Sequence, residues 1–248
     1  MYSYPNRAVA PARSQSGALA FLRRVYLLFT GGVWFAVVGA LVALYAGAPL
    51  AITTRGGAVA HVPPVVAFAM QHWFIMLLAY IGAFFGASLL RRVRGINVAA
   101  LFGYAFITGL FIAPSIFVAQ AMASQGQTLD ASPVRDAFLL TAAAFVGLSG
   151  YTLISRRDFS NLGAALTIGL FVLIGASLLG IFVHAAVFHL AVASMGVLLF
   201  AGYILYDTSR IMRTSEDGDA VGAALQLFLD IVNMFLLLLR ILSSARDR

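Results

Sequence analysis

Residues 162–206 read LGAALTIGLFVLIGASLLGIFVHAAVFHLAVASMGVLLFAGYILY, 45 residues without an Asp, Glu, Lys or Arg. As one helix this stretch would rise about 68 Å, more than twice the ~30 Å hydrocarbon core of a bilayer. It must fold back on itself, and the reversal is expected near His184. Two apolar spans joined by a short turn belong in a membrane. Five further runs of the same kind flank them: Val25–Gly47, Ala69–Leu90, Val98–Met122, Ala137–Ile154 and Ala220–Leu242. With Leu162–Val183 and Ala185–Tyr206 they predict an all-α, polytopic protein of seven transmembrane helices.

Composition agrees. Of 248 residues, 62% are hydrophobic and 10% charged, whereas a soluble domain carries about 25% charge. There is too little polar surface to cover so much apolar chain, which excludes a soluble enzyme. Cysteine is absent, so neither disulfides nor thiolate metal sites are available.

The formal charge of +7 comes from 16 Arg against nine acids, with no Lys. The Arg residues lie in short clusters between apolar runs, as membrane topology requires, and not in the patches that bind nucleic acid. Eleven fall on one side: Arg7, Arg13, Arg23 and Arg24, then Arg91, Arg92 and Arg94, then Arg156 and Arg157, then Arg210 and Arg213. Five fall on the other: Arg55, Arg135, Arg240, Arg246 and Arg248. That bias predicts a cytoplasmic N-terminus and a C-terminus on the far side of the membrane. Residues 1–22 are polar and are expected to form a disordered tail, with residues 23–248 as one seven-helix domain. The first run is longer than the 7–15 apolar residues of a cleaved signal peptide, so it is read as a retained helix.

Ionisable residues inside spans are costly and usually face a cavity or a partner. Asp230, in Leu225-Gln226-Leu227-Phe228-Leu229-Asp230-Ile231-Val232-Asn233-Met234-Phe235, has apolar neighbours on both sides. Asp207 lies near the end of the sixth run. If that helix continues to Arg213 and the next begins near Asp219, the two acids lie about 9 Å and about 16 Å from the turn, close enough for modest tilt to join them. Two carboxylates in a poorly hydrated site cannot both ionise cheaply, so such a pair acts as a proton-sensitive switch. It also offers oxygen ligands of the sort Ca²⁺ accepts, but far fewer than the 6–8 that ion prefers, which suits transient passage better than storage. Arg91, ending the second helix on the same side, is the expected counter-charge. Arg92 and Arg94 are expected to anchor topology, and Arg240 to snorkel outward.

The segments Gly103-Tyr104-Ala105-Phe106-Ile107-Thr108-Gly109-Leu110-Phe111-Ile112-Ala113-Pro114, Gly202-Tyr203-Ile204-Leu205-Tyr206-Asp207-Thr208 and Leu229-Asp230-Ile231-Val232-Asn233-Met234-Phe235 with Leu239-Arg240 resemble the bacterial branch of the transmembrane Bax inhibitor motif family. The resemblance covers about Ala69 to Leu242. It implies seven helices with the last at the centre, and a pH-sensitive calcium leak gated by a hydrogen-bonded aspartate pair. It places Asp207 and Asp230 in that pair and Arg91, or the adjacent Arg92, as the latch upon it, with Tyr206, Asn233 and Pro114 in support. Some relatives carry an acid about eleven residues before the latch, where this chain has Tyr80. The permeating calcium ion is the ligand implied, and no cofactor or covalent chemistry is.

Rival readings fare less well. A retinal protein needs a Lys for its Schiff base. Gly147-Leu148-Ser149-Gly150 looks like the Gly-x-Ser-Gly of intramembrane serine proteases, but Ser149 would sit about 18 Å deep, away from His184 and His189. Gly147, Ser149 and Gly150 are therefore expected to serve helix packing. Aspartyl intramembrane proteases have Gly-x-Gly-Asp at their second acid, and this chain has bulky residues there. Pro114 is expected to kink the third helix, and His61 and His72 to be interfacial. The alternative from a different class is a non-transporting modulator that binds other membrane proteins, such as a membrane protease.

Overall fold

A computed structural model of the chain describes residues 15–53, 59–125, 132–155, 157–183, 185–214 and 218–244. It is an all-α fold with seven helices long and apolar enough to cross a membrane. They are α1 (Gln15–Tyr45), α3 (Trp73–Leu90), α4 (Asn97–Gln125), α5 (Pro133–Ser155), α6 (Gly163–Leu179), α7 (Ala186–Arg213) and α8 (Ala220–Ser244). The reversal between α6 and α7 occupies residues 180–185; His184 itself lies outside the described residues. Arg7, Arg13, Arg55, Arg156, Arg246 and Arg248 also lie outside them.

Three features depart from the sequence reading. Helix α1 begins at Gln15, so residues 15–22 are helical and not part of a tail. The reason is packing: Phe21 and Val25, one turn apart, are 3% and 0% exposed. Between α1 and α3, strands β1 (Leu50–Thr53) and β2 (Val59–Val62) form an antiparallel hairpin, with Leu50 opposite Val62. The second run is broken at His72, whose backbone (φ −114°, ψ 43°) separates the short α2 (Pro64–Gln71) from α3.

Burial divides the helices into two populations. Only 6% of the α3 and α6 spans is buried, against 44% for α4 and 39% for α8. Helix α4 packs on α1, α3, α5 and α8, and α8 packs on α1, α4, α5 and α7. Outward-facing side chains are large and apolar, Leu89, Ile154 and Phe182 among them, the inverse of a soluble surface. Between apolar helices in lipid, association rests on close backbone approach and polar contacts, since burial alone gains little. The α1–α4 seam shows this. A Cβ on Gly39 would collide with the Phe106 carbonyl, and one on Gly109 would lie 2.7 Å from the Ala40 nitrogen. Gly147 and Gly150, expected as packing residues, instead face open space, where an added Cβ meets nothing within 4 Å.

Candidate functional site

Helices α7 and α8 are antiparallel neighbours joined by a short connection, so residues at comparable depth on each face one another. Asp207 lies six residues before the end of α7 and Asp230 ten residues after the start of α8. They are 6% and 5% exposed, and their carboxyl groups face one another closely enough to interact. Two ionised carboxylates are acceptors only, so a hydrogen bond between them needs a proton held by one of the two. Asp230 Oδ2 has no hydrogen-bond partner among the described residues, a costly state for a buried carboxyl oxygen. Beside the pair, the hydroxyls of Ser149 and Thr208 are 3.3 Å apart and tie α5 to α7. Ser149 thus has a hydroxyl partner on α7, while His189 bonds Arg240 (Nδ1 to Nη2, 2.8 Å) at the far end of the bundle.

Asp207 opens onto a cavity of about 130 Å³. Its walls include Arg91, Arg92, Arg210, Asp219 and Gln226, with Phe21 of α1 closing one side. Arg91 does not pair with the buried acids. Its Nε lies 3.2 Å from Asp219 Oδ2, so in this structure Arg91 is held by Asp219 at the mouth of the cavity and not by Asp207. The cause is local. Asp219 caps α8 by accepting the Gly222 N–H at 2.7 Å on Oδ1, which leaves Oδ2 for the guanidinium that ends α3. The cation whose charge acts on Asp207 is Arg210, one turn further along α7. Arg92 lines the same cavity. Asp219 carries one sequence signal, an acid just before an apolar run in the pattern of a helix N-cap; Thr208 carries its place in the Tyr206-Asp207-Thr208 motif.

The other residues implicated by sequence are dispersed. The Asn233 amide donates to the Leu229 carbonyl of its own helix at 2.8 Å. The Tyr206 ring packs against Gly163 at the start of α6. Pro114 lies inside α4, which runs unbroken through it, and lines a separate groove at the opposite end of α8. Tyr80 accepts a 2.9 Å hydrogen bond from the fully buried Tyr104 hydroxyl, within an aromatic layer that includes Phe111 and Phe228. Among the described residues no three His, Asp or Glu side chains gather into a metal cage.

The loop between α5 and α6 docks on the same end of α7. The Ser209 hydroxyl accepts the Phe159 N–H at 3.1 Å, and Arg213 lies 3.4 Å from Asp158. Asp158 accepts the Ser160 N–H, and that bond, with the Arg213 charge, holds its carboxyl below the usual range.

The family model described as inhibitor of apoptosis-promoting Bax1 matches residues 18–247 of this chain. The chain belongs to the Bax inhibitor family. Within that family it is 34% identical to an uncharacterized protein of Campylobacter jejuni, across 92% of this chain and 90% of the relative. It is 33% identical to mouse protein lifeguard 4, across 93% of this chain and 87% of that one. A vaccinia virus Golgi anti-apoptotic protein is 38% identical across 68% of this chain and 67% of its own length. The Bax inhibitor match spans every transmembrane helix, so the carboxyl pair on α7 and α8 lies inside it.

Proposed function

We propose that this protein is a passive, pH-regulated leak for calcium ions, gated by the Asp207–Asp230 pair. The observation that carries this reading is two buried carboxyls set against one another, with Asp207 opening onto a cavity that is also lined by Arg91, Arg92, Arg210 and a third acid, Asp219. A proton holds α7 to α8 at this point. Its loss leaves two negative charges in a poorly hydrated site, and relief comes from separation, from hydration, or from a passing cation. Arg91, held by Asp219, is the reserve counter-charge: release from Asp219 would let it engage Asp207. Such a two-state arrangement needs only a few kcal/mol of bias.

The Arg-rich end of the bundle, where Arg91, Arg92 and Arg210 meet, is assigned to the cytoplasm, and the membrane to the bacterial inner membrane. No covalent chemistry is assigned. Leu227 and Leu229 stand where an aspartyl intramembrane protease has the two Gly of Gly-x-Gly-Asp, which speaks against that chemistry.

The second reading is a non-transporting modulator of other membrane proteins, and the name of the vaccinia relative, an anti-apoptotic protein, favours it. One experiment separates the two. Purified protein in liposomes is tested for Ca²⁺ flux from about pH 5 to 8, the range a strongly perturbed carboxyl reaches, beside Asp230→Asn. Flux whose pH dependence disappears in the variant supports the leak. No flux above empty liposomes at any pH rejects it and leaves the modulator.

A further inference from the structure

At the end of the bundle remote from the carboxyl pair, α4 and α8 diverge around a groove of about 570 Å³. One wall is apolar, formed by Pro114, Val118, Ala119 and Leu236. The other end is polar, with Arg240, Ser243 and Ser244. Among the described residues Arg240 is the charged side chain of the lining. Of its five guanidinium N–H donors, the contact in place is the one to His189 of α7. The Ser243 hydroxyl is buried and has no hydrogen-bond partner among the described residues. An unpaired buried donor beside a cation is a site awaiting an anionic acceptor.

We propose that this groove binds an anionic phospholipid, its phosphate between Arg240 and the Ser243 and Ser244 hydroxyls and one acyl chain along Pro114, Val118 and Leu236. The groove belongs to a membrane-spanning bundle, so lipid is its immediate solvent. Along α8 its lining passes from Leu236 and Leu237 to Arg240, Ser243 and Ser244, apolar to polar, as a lipid does. A phosphate satisfies both the guanidinium fork and the orphan hydroxyl, which a zwitterionic headgroup does less well because its own cation opposes Arg240. The site shares no residue with the Asp207 cavity and does not depend on the leak.

Native mass spectrometry of the full chain in detergent, titrated with phosphatidylglycerol or phosphatidylcholine, tests it. The wild type should prefer phosphatidylglycerol. Arg240→Gln should weaken that lipid about fivefold, the worth of one basic residue near a membrane surface, with phosphatidylcholine unchanged, and Arg240→Lys should keep most of the preference. Val118→Phe, which narrows the apolar wall, should weaken both lipids; should it fail to fold, the Arg240 variants decide alone. Equal binding of the two lipids by the wild type, or an Arg240→Gln that changes nothing, overturns the proposal. So does displacement by glycerol 3-phosphate, which would reveal an anion site indifferent to lipid, or a dimer that Val118→Phe dissolves without loss of lipid, which would give the groove to a second copy.

Discussion

Arg91, the C-cap residue just after α3, reaches across to Asp219, the residue just before α8, with 3.2 Å between Nε and Oδ2. The same carboxylate caps α8 through Gly222, so one side chain both begins the helix that carries Asp230 and holds the cation nearest its mouth. Because the pair is 36% and 25% exposed, it contributes about 1 kcal/mol or less. Asp219→Asn keeps a capping oxygen and loses the ion pair, so its cost in reversible unfolding in mixed micelles stays below that figure. Asp219→Ala loses the cap as well, for about 1 kcal/mol more. In the proposed leak, Asp219→Asn releases Arg91 toward Asp207 and displaces the pH profile of flux; an unmoved profile would exclude Arg91 as a latch.

The hydroxyls of Tyr80 and Tyr104 meet between α3 and α4 at 2.9 Å. A double-mutant cycle with Tyr80→Phe and Tyr104→Phe should return a coupling of about 0.6 to 1 kcal/mol, the range for side-chain hydrogen bonds inside membranes. Zero coupling would mean that the aromatic layer is held by ring packing alone.

Glycine substitutions separate the packed seam from the lipid face. Gly109→Val should cost about 1 to 3 kcal/mol or more, as overpacking does, because its backbone lies against Ala36 and Ala40. Gly82→Ala, with nothing within 4 Å, should stay within about 0.5 kcal/mol of wild type. Melting of the detergent-solubilised variants reads both, and equal effects at the two positions would refute the α1–α4 seam.

Asp158 provides a pH test independent of the buried pair. Its folded carboxyl is held below the unfolded value, so its contribution to loop docking is present above the ordinary carboxyl range near 4 and is lost as pH falls through the lower folded value. The stability difference between wild type and Asp158→Asn should therefore be flat from about pH 5 to 8 and shrink only below about pH 4. A difference that changes near neutrality would show that Asp158 senses another group.

Much of this protein was legible before any coordinate. Apolar run length against bilayer thickness determined the seven spans, because in lipid the backbone must bond within each segment. The spacing of Asp207 and Asp230 from a shared turn determined that they could meet, since helical rise is constant. What the one-dimensional pattern could not carry was choice among partners of equal reach. Arg91 had several acids within range, and Asp219 took it because capping α8 had already fixed that carboxylate in place. Residues 15–22 read as tail by polarity and became helix because Phe21 and Val25 found α8. Glycines look alike in sequence. Only the tertiary packing decided that Gly39 and Gly109 close a seam while Gly147 and Gly150 face outward, because that depends on which helix arrives opposite them.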